Sequence, residues 1–173
     1  MQFQLNEAIV LLARTPSVLR AMLHGLPDHW QRSNYGDKTF SPFDVVGHLI
    51  HADQTNWLAR LNHILANGPT KPFPPFDRYA MFESSKDKSM ADLLDELDSV
   101  RKGSLQSLHN LHLREAQLDH PGLHPELGRV TAKQLLASWV THDLHHTAQI
   151  CKAMARQYRD EVGPWRQYIS ILG

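Results

Sequence analysis

The chain has little of what would place it in a membrane or in an oxidising compartment. Its 173 residues include one cysteine, Cys151, so no internal disulfide can form. No apolar run approaches the roughly 18 residues of a membrane-spanning helix. The start Met1-Gln2-Phe3-Gln4-Leu5-Asn6-Glu7 also lacks the basic leader and apolar stretch of a secretion signal. We therefore expect a soluble, cytoplasmic protein.

An excess of charge of either sign is also missing. The chain has 18 basic and 18 acidic side chains, and its formal net charge at pH 7 is zero. Surfaces that bind nucleic acids or acidic membranes need clustered positive charge. We expect no nucleic acid and no membrane among the partners, and a small-molecule substrate instead.

The alternation of apolar and polar residues that marks a strand is absent throughout the chain. Four long helical patterns separated by turn-rich segments predict an all-α fold in one domain, residues 1–173. The first helix is predicted over about residues 3–25, with Thr15-Pro16 marking a kink or a restart. The second is predicted to begin after an N-cap at Ser41, with Pro42 and Asp44 in its first turn, and to run to about residue 67.

The segment that follows is stiff and extended, because residues 68–76 contain four prolines. This crossover between the second and third helices predicts a four-helix bundle with one long connection. The third helix is predicted from an N-cap at Ser89 to Leu108 or Leu113.

The rest of the chain contains one more loop and two more helices. Residues 120–128 are predicted to form the loop. The capping box that begins at Thr131 then starts a fourth helix, which reaches about Tyr158. Gly163-Pro164 precedes a predicted short C-terminal helix, residues 165–172.

Histidine is the abundant chemically active residue, with 12 copies. His142 and His146 lie four residues apart on the fourth helix, so two imidazoles can share one divalent cation from one helix face. His120 and His124 have the same spacing but lie among prolines and a glycine, which indicates loop composition. Because accidental pairs are expected at this histidine content, spacing alone is a weak signal.

The helical wheel of the fourth helix strengthens the signal. At 100° per residue, His142 and His146 lie about 40° apart on the border of an apolar stripe that includes Trp139, and they should point inward. His145 falls on the polar side, as a solvent-facing residue or an outer neighbour of the site. Cys151 lies on the opposite side and is excluded as a ligand.

A third ligand is expected from a facing helix, because bundle metal sites are built from side chains on facing helices. The second helix offers His48 and His51, and the wheel favours His48 only mildly. Asp53 falls within the apolar sector, where it could pair with a buried arginine, orient a ligand imidazole or bind a water.

Two motifs together resemble the DinB superfamily: Phe43-Asp44-Val45-Val46-Gly47-His48-Leu49, and His142-Asp143-Leu144-His145-His146-Thr147-Ala148-Gln149-Ile150. The resemblance covers nearly the whole chain and implies a four-helix bundle with a long crossover. It implies a divalent ion, zinc or nickel among the candidates, held by one histidine of the second helix and the pair of the fourth. Carried over by residue, these ligands are His48, His142 and His146.

The activity that the resemblance implies is less uniform. Relatives include thiol transferases that use low-molecular-weight thiols, proteins described as metal-dependent hydrolases, and homodimers. We therefore expect a metal-dependent enzyme that activates a thiol or a water. Two alternatives stay open: a metal-binding bundle without turnover, and a metal-free bundle whose histidines are polar core or surface residues. His51 is the first candidate for a general acid or base, ahead of Asp53 and His145, because it lies one turn from His48.

Overall fold

The computed structural model describes residues 2–173. The α-helices are, in chain order, α1 (Leu5–Leu23), α2 (Asp28–Arg32), α3 (Pro42–Thr55), α4 (Trp57–Asn67), α5 (Met81–Ser85), α6 (Met90–Asn110), α7 (Glu115–Leu118) and α8 (Ala132–Arg156). The four long helical units α1, α3 with α4, α6 and α8 form the predicted four-helix bundle. Among residues 2–173, no helix is both long and apolar enough to cross a membrane.

The predicted N-caps of three bundle helices are confirmed. Ser41, Ser89 and Thr131 each accept a hydrogen bond from the backbone N–H three residues on, and the side chain at that third position bonds back. These capping boxes satisfy backbone donors that a helix start otherwise leaves free. They set the starting points of the helices that carry the candidate site.

The sequence predicts a kink or a restart at Pro16, but the first helix is not interrupted there. Helix α1 runs through it, although a proline cannot donate to the carbonyl four residues back, here that of Leu12. That carbonyl accepts a hydrogen bond from Arg101 of α6 at 2.7 Å. A partner from another helix thus replaces the bond that proline removes.

The predicted second helix is two helices. Asn56 separates α3 from α4 with φ −109° and ψ −67°, outside regular helical geometry. Thr55 and Asn56 are weak helix formers because their side chains compete for backbone groups, and the Thr55 hydroxyl donates to the carbonyl of His51 at 2.8 Å. The break turns Asn56 and Trp57 toward the candidate site described below.

The crossover is longer and more structured than predicted. A 3₁₀ turn (Gly68–Thr70) and an extended stretch lead to α5, which packs on α3. Gly47 allows this approach, because a Cβ there would lie 2.5 Å from Oγ of Ser85.

The prediction that the chain has no strand is wrong. Strands β1 (Pro121–His124) and β2 (Gly128–Thr131) pair antiparallel, with Pro121 opposite Thr131. The first lies inside the predicted loop of residues 120–128, and the second begins at its last residue. Four-residue strands containing proline and glycine are too short to show alternation. The turn depends on Gly128 at φ +73°, a conformation that favours glycine.

The C-terminal segment also differs from the short helix predicted over residues 165–172. Residues 163–168 and 170–172 form two 3₁₀ turns in place of an α-helix, and Leu172 is buried there, with the second turn packed on α8.

A buried ionic network joins all four long helices. The guanidinium of Arg101 on α6, 1% exposed, donates to the carboxylates of Asp53 on α3 and Asp143 on α8 as well as to the carbonyl of Leu12 on α1. Asp53 also accepts from the indole N–H of Trp139 at 3.0 Å. The pairing of Asp53 with a buried arginine is the structural interpretation offered for it above.

Candidate metal centre

Three histidines from two helices meet beside this network. His48 lies on α3 and is 5% exposed, His146 lies on α8 and is 8% exposed, and His142 on α8 is partly buried. Nε2 of His142 is 3.1 Å from Nε2 of His48 and 3.2 Å from Nε2 of His146. Within residues 2–173 these side chains form a group of potential ligand atoms that all lie within 4.8 Å of one another.

The imidazoles are held in their neutral form. Burial, followed by the proximity of His146, lowers the pKa of His48 to about 4. Burial, followed by His146 and His48, lowers the pKa of His142 to about 2. Burial also lowers the pKa of His146, against an opposing hydrogen bond from Gln149. Neutral imidazoles each carry one nitrogen lone pair, which is what a metal ion requires.

The orientation of His146 is set by a hydrogen bond on its far side. Its Nδ1 lies 2.7 Å from Oε1 of Gln149, an atom that only accepts, so Nδ1 carries the proton. Nε2 therefore presents its lone pair to the cluster. Gln149 in turn donates to the hydroxyl of Tyr35 at 3.3 Å, which connects His146 to the loop before α3. Partners of this kind orient metal-binding histidines.

The other two rings are positioned by packing. Nδ1 of His48 and Nδ1 of His142 are buried and form no hydrogen bond within residues 2–173. Burial lowers the pKa of His48, and the nearby backbone of Arg78 opposes this shift. Trp57 contacts the ring of His142 edge-on at a centroid distance of 5.1 Å and stacks on Trp139.

A divalent cation fits this donor set. Four tetrahedral ligands about 2.05 Å from zinc lie about 3.3 Å from one another, close to the two observed Nε2 separations of 3.1 and 3.2 Å. Without a shared cation, Nε2 of His142 faces two other Nε2 atoms. The three neutral rings have only three N–H protons in all. One of those protons is committed to Gln149.

The cluster opens into a cavity of about 480 Å³. Its walls are partly aromatic and include Phe40, Trp57, Phe76 and Tyr79, and its polar lining residues besides the three histidines are Lys38, Asn56, Arg78, His145 and Gln149. Three protein ligands and an adjoining cavity of substrate size are the arrangement of a catalytic metal site, whereas structural sites are closed by a fourth ligand.

His51 is not brought to the cluster. Its Nε2 lies 3.0 Å from the carbonyl oxygen of Asp77, and its ring stacks on Phe76, whose other contact is the ring of His48. The role of His51 as a general acid or base stays a prediction. The contacts that it forms are with Asp77 and Phe76, which belong to the crossover. His145, expected on the polar side of α8, is exposed but lines the cavity.

The remaining candidates lie elsewhere. Nδ1 of His124 accepts from the backbone N–H groups of Glu126 and Leu127 in the hairpin turn, and His120 immediately precedes β1. Cys151 does not line the cavity. Sequence reasoning missed Asn56, Trp57, Lys38 and Arg78 as cavity residues. Only Trp57 gave a signal, as an apolar position of the second helix.

The fold and the site together define a four-helix bundle with a buried three-histidine cluster at the floor of an open cavity. The chain belongs to the DinB superfamily, whose family model matches residues 11–150. The resemblance identified from the two histidine motifs is thereby confirmed.

The chain is also similar in sequence to two proteins of Geobacillus. A protein of Geobacillus kaustophilus (strain HTA426) is 28% identical over 165 residues, which cover 89% of this chain and 86% of the relative. One of Geobacillus thermodenitrificans (strain NG80-2) is 28% identical over 163 residues, covering 88% and 85%. Both carry names that propose a metal-dependent hydrolase.

The fold is shared with YfiT from Bacillus subtilis, described as a probable metal-dependent hydrolase with an unusual four-helix bundle topology. The match has a TM-score of 0.75 at 24% identity and covers 89% of this chain and 87% of that chain.

Proposed function

We propose that this protein is a metal-dependent hydrolase of small molecules that binds one divalent cation, zinc or nickel, through Nε2 of His48, His142 and His146. The observation that carries the proposal is the convergence of these three nitrogens, 3.1 and 3.2 Å apart along the cluster, at the floor of an open cavity. The names of the two Geobacillus relatives support it.

When bound, a cation held by three neutral imidazoles keeps its full charge and lowers the pKa of a water or thiol at the remaining coordination position. The chain supplies the rest. Gln149 keeps the proton of His146 on Nδ1, so that Nε2 stays available. Trp57, Phe40 and Phe76 line the approach, and their apolar surfaces lower the local dielectric constant and strengthen electrostatic interactions with a substrate.

Thiol transfer is the second candidate, since a thiol at the same coordination position would be deprotonated. Its support is the family resemblance, with a low-molecular-weight thiol as co-substrate. A non-catalytic metal-binding bundle is the third. All three use the same histidine cluster, so they differ only in what the loaded protein turns over.

The test uses untagged protein loaded with zinc or nickel and dialysed. Metal content is measured by elemental analysis, and turnover with a panel of small esters and amides and with a thiol paired with an electrophilic acceptor. We expect one metal ion per chain and ester or amide hydrolysis, both lost in His142→Ala. The matched control is His109→Ala, an exposed histidine of α6, which should leave both unchanged.

The outcomes separate the candidates. Turnover of the thiol pair alone would replace hydrolysis by thiol transfer. Bound metal without any turnover would indicate the non-catalytic bundle. Hydrolysis that survives both a chelator and His142→Ala would overturn the proposed site.

We further propose a cytoplasmic homodimer. Its support is an exposed apolar strip where α1 meets α8, with Leu11 43%, Val18 44% and Leu144 58% exposed along a shallow groove. Solvent-exposed apolar side chains grouped in this way are typical of interaction surfaces.

A further inference from the structure

We propose that the cavity selects small anions. Lys38 and Arg78 at its rim bind the carboxylate of a small molecule, and the other end of that molecule occupies the open coordination position at the histidine cluster. This inference rests on the proposed function and adds the substrate class: a small molecule with two acidic groups, or with one acidic group and one scissile carbonyl.

The charges that line the cavity are of one sign. Lys38 and Arg78 are its formally charged lining residues, and no aspartate or glutamate among residues 2–173 lines it. The chain as a whole has zero formal net charge, so this segregation is local. A cavity lined by one sign of charge, with low-dielectric aromatic walls, concentrates ligands of the opposite sign.

Both cations are free to bind a ligand. Within residues 2–173, neither Lys38 nor Arg78 forms an ion pair, whereas the exposed Lys86 and Lys102 pair with Glu83 and Asp98. Arginine and lysine on a cavity rim without carboxylate partners are the donors that a substrate carboxylate requires.

Arg78 is positioned by the crossover contacts of His51. The carbonyl of Asp77, the preceding residue, is bonded to His51, and the ring of Phe76 packs between His51 and His48. These contacts fix the backbone beside Arg78, whose side chain lines the same cavity as His48. His51 is therefore a positioning residue for Arg78 in this proposal.

Lys38 reaches the rim from the opposite loop. It has φ +60°, a left-handed conformation that non-glycine residues rarely adopt. The turn around it is held by Thr39, whose hydroxyl donates to the carbonyl of Gly36 at 2.6 Å. Strain of this kind at a cavity rim is typical of positions selected for function.

Two polar atoms of the cavity lining are unsatisfied. Oδ1 of Asn56 and Nε1 of Trp57 are buried and form no hydrogen bond within residues 2–173, and the two residues are 6% and 7% exposed. Buried polar groups are normally paired, so an unpaired acceptor and donor next to a cavity indicate a ligand or ordered water.

The experiment compares succinate with succinamate, which replaces one carboxylate by a neutral amide of the same size. Binding to the zinc-loaded protein is measured by calorimetry. We expect succinate to bind about tenfold or more tightly than succinamate, because one charge-assisted contact contributes roughly 1.5–3 kcal/mol. Arg78→Met and Lys38→Met should each bring this ratio toward one without changing zinc content.

The matched control is Lys71→Met, an exposed lysine of the same crossover that does not line the cavity, which should keep the native ratio. Equal binding of the two ligands by the native protein, or a ratio that neither rim variant changes, would overturn the inference.

Elemental analysis of the same samples distinguishes a failure of this inference from a failure of the proposed function. A chain that retains no zinc overturns the proposed metal site. Zinc-loaded protein without a preference for succinate overturns the anionic substrate class alone.

Discussion

Replacement of Arg101 by methionine should destabilise the bundle more than any surface substitution. The guanidinium is 1% exposed and donates to two carboxylates and to the carbonyl of Leu12, at distances that include 2.6 and 2.7 Å. Methionine fills similar volume but donates nothing. Two buried carboxylates would then face each other, and the carbonyl that Pro16 leaves free would lose its partner.

The magnitude follows from these losses. Removing one side of a buried ion pair costs about 3–5 kcal/mol, and leaving a buried carbonyl unsatisfied costs about 1–3 kcal/mol. These costs overlap because the network is shared, so we expect a loss of about 4 kcal/mol in the free energy of unfolding. That is a large share of the roughly 5–15 kcal/mol that stabilises a typical domain.

The assay is urea denaturation of the metal-free protein, followed by far-ultraviolet circular dichroism at pH 5 and pH 8. The control is Lys102→Met on the same helix, whose exposed pairing with Asp98 should contribute less than about 1 kcal/mol. The cost of Arg101→Met should be smaller at pH 5, because burial raises the pKa of Asp53 to about 6 and protonated Asp53 does not repel Asp143. A cost within 1 kcal/mol of the control at pH 8 would refute the reasoning.

Three further predictions concern the network, the cluster and the dimer. Burial raises the pKa of Asp53 from 3.8 to about 6, although Arg101 opposes this shift. The folded chain therefore binds the proton of Asp53 more tightly than the unfolded chain does. The resulting stabilisation is fully present below about pH 4 and is lost as the pH rises through 6. Relative to Asp53→Asn, the free energy of unfolding of the native chain in urea should therefore fall by on the order of 3 kcal/mol from pH 4 to pH 7, and a rise would contradict the pKa direction. Zinc at one hundred times its dissociation constant should stabilise the native chain by about 2.7 kcal/mol in a thermal melt, and an equal shift in His142→Ala would contradict the ligand set. Leu144→Glu should convert a dimer to a monomer by light scattering, and an unchanged mass would remove the α1/α8 strip as the interface.

The features predicted correctly from sequence depend on local patterns. Ser41, Ser89 and Thr131 begin helices because their capping boxes are complete within four residues. The inward direction of His142 and His146 followed from one uninterrupted helix. The pairing of Asp53 with an arginine was one of three interpretations. The continuation of the buried face of α6 through Arg101 was the signal that could have decided between them.

The features that were missed depend on contacts between distant segments. The hairpin joins the crossover through Phe73, whose N–H donates to the carbonyl of Leu123 at 3.0 Å. The break at Asn56 divides the predicted second helix in two, although Trp57, Leu61 and Ile64 beyond the break are buried. Lys38 and Arg78 reach one cavity from two loops, and neither loop has a periodicity that predicts where it lies.

The central claim is that the imidazoles of His48, His142 and His146 share one divalent ion. The most direct test is anomalous diffraction from crystals of zinc-loaded protein, recorded above and below the zinc absorption edge. The account predicts a single peak among the three Nε2 atoms, about 2.0–2.1 Å from each. A fully loaded crystal with its zinc bound elsewhere, or with only two of these rings as ligands, would contradict it.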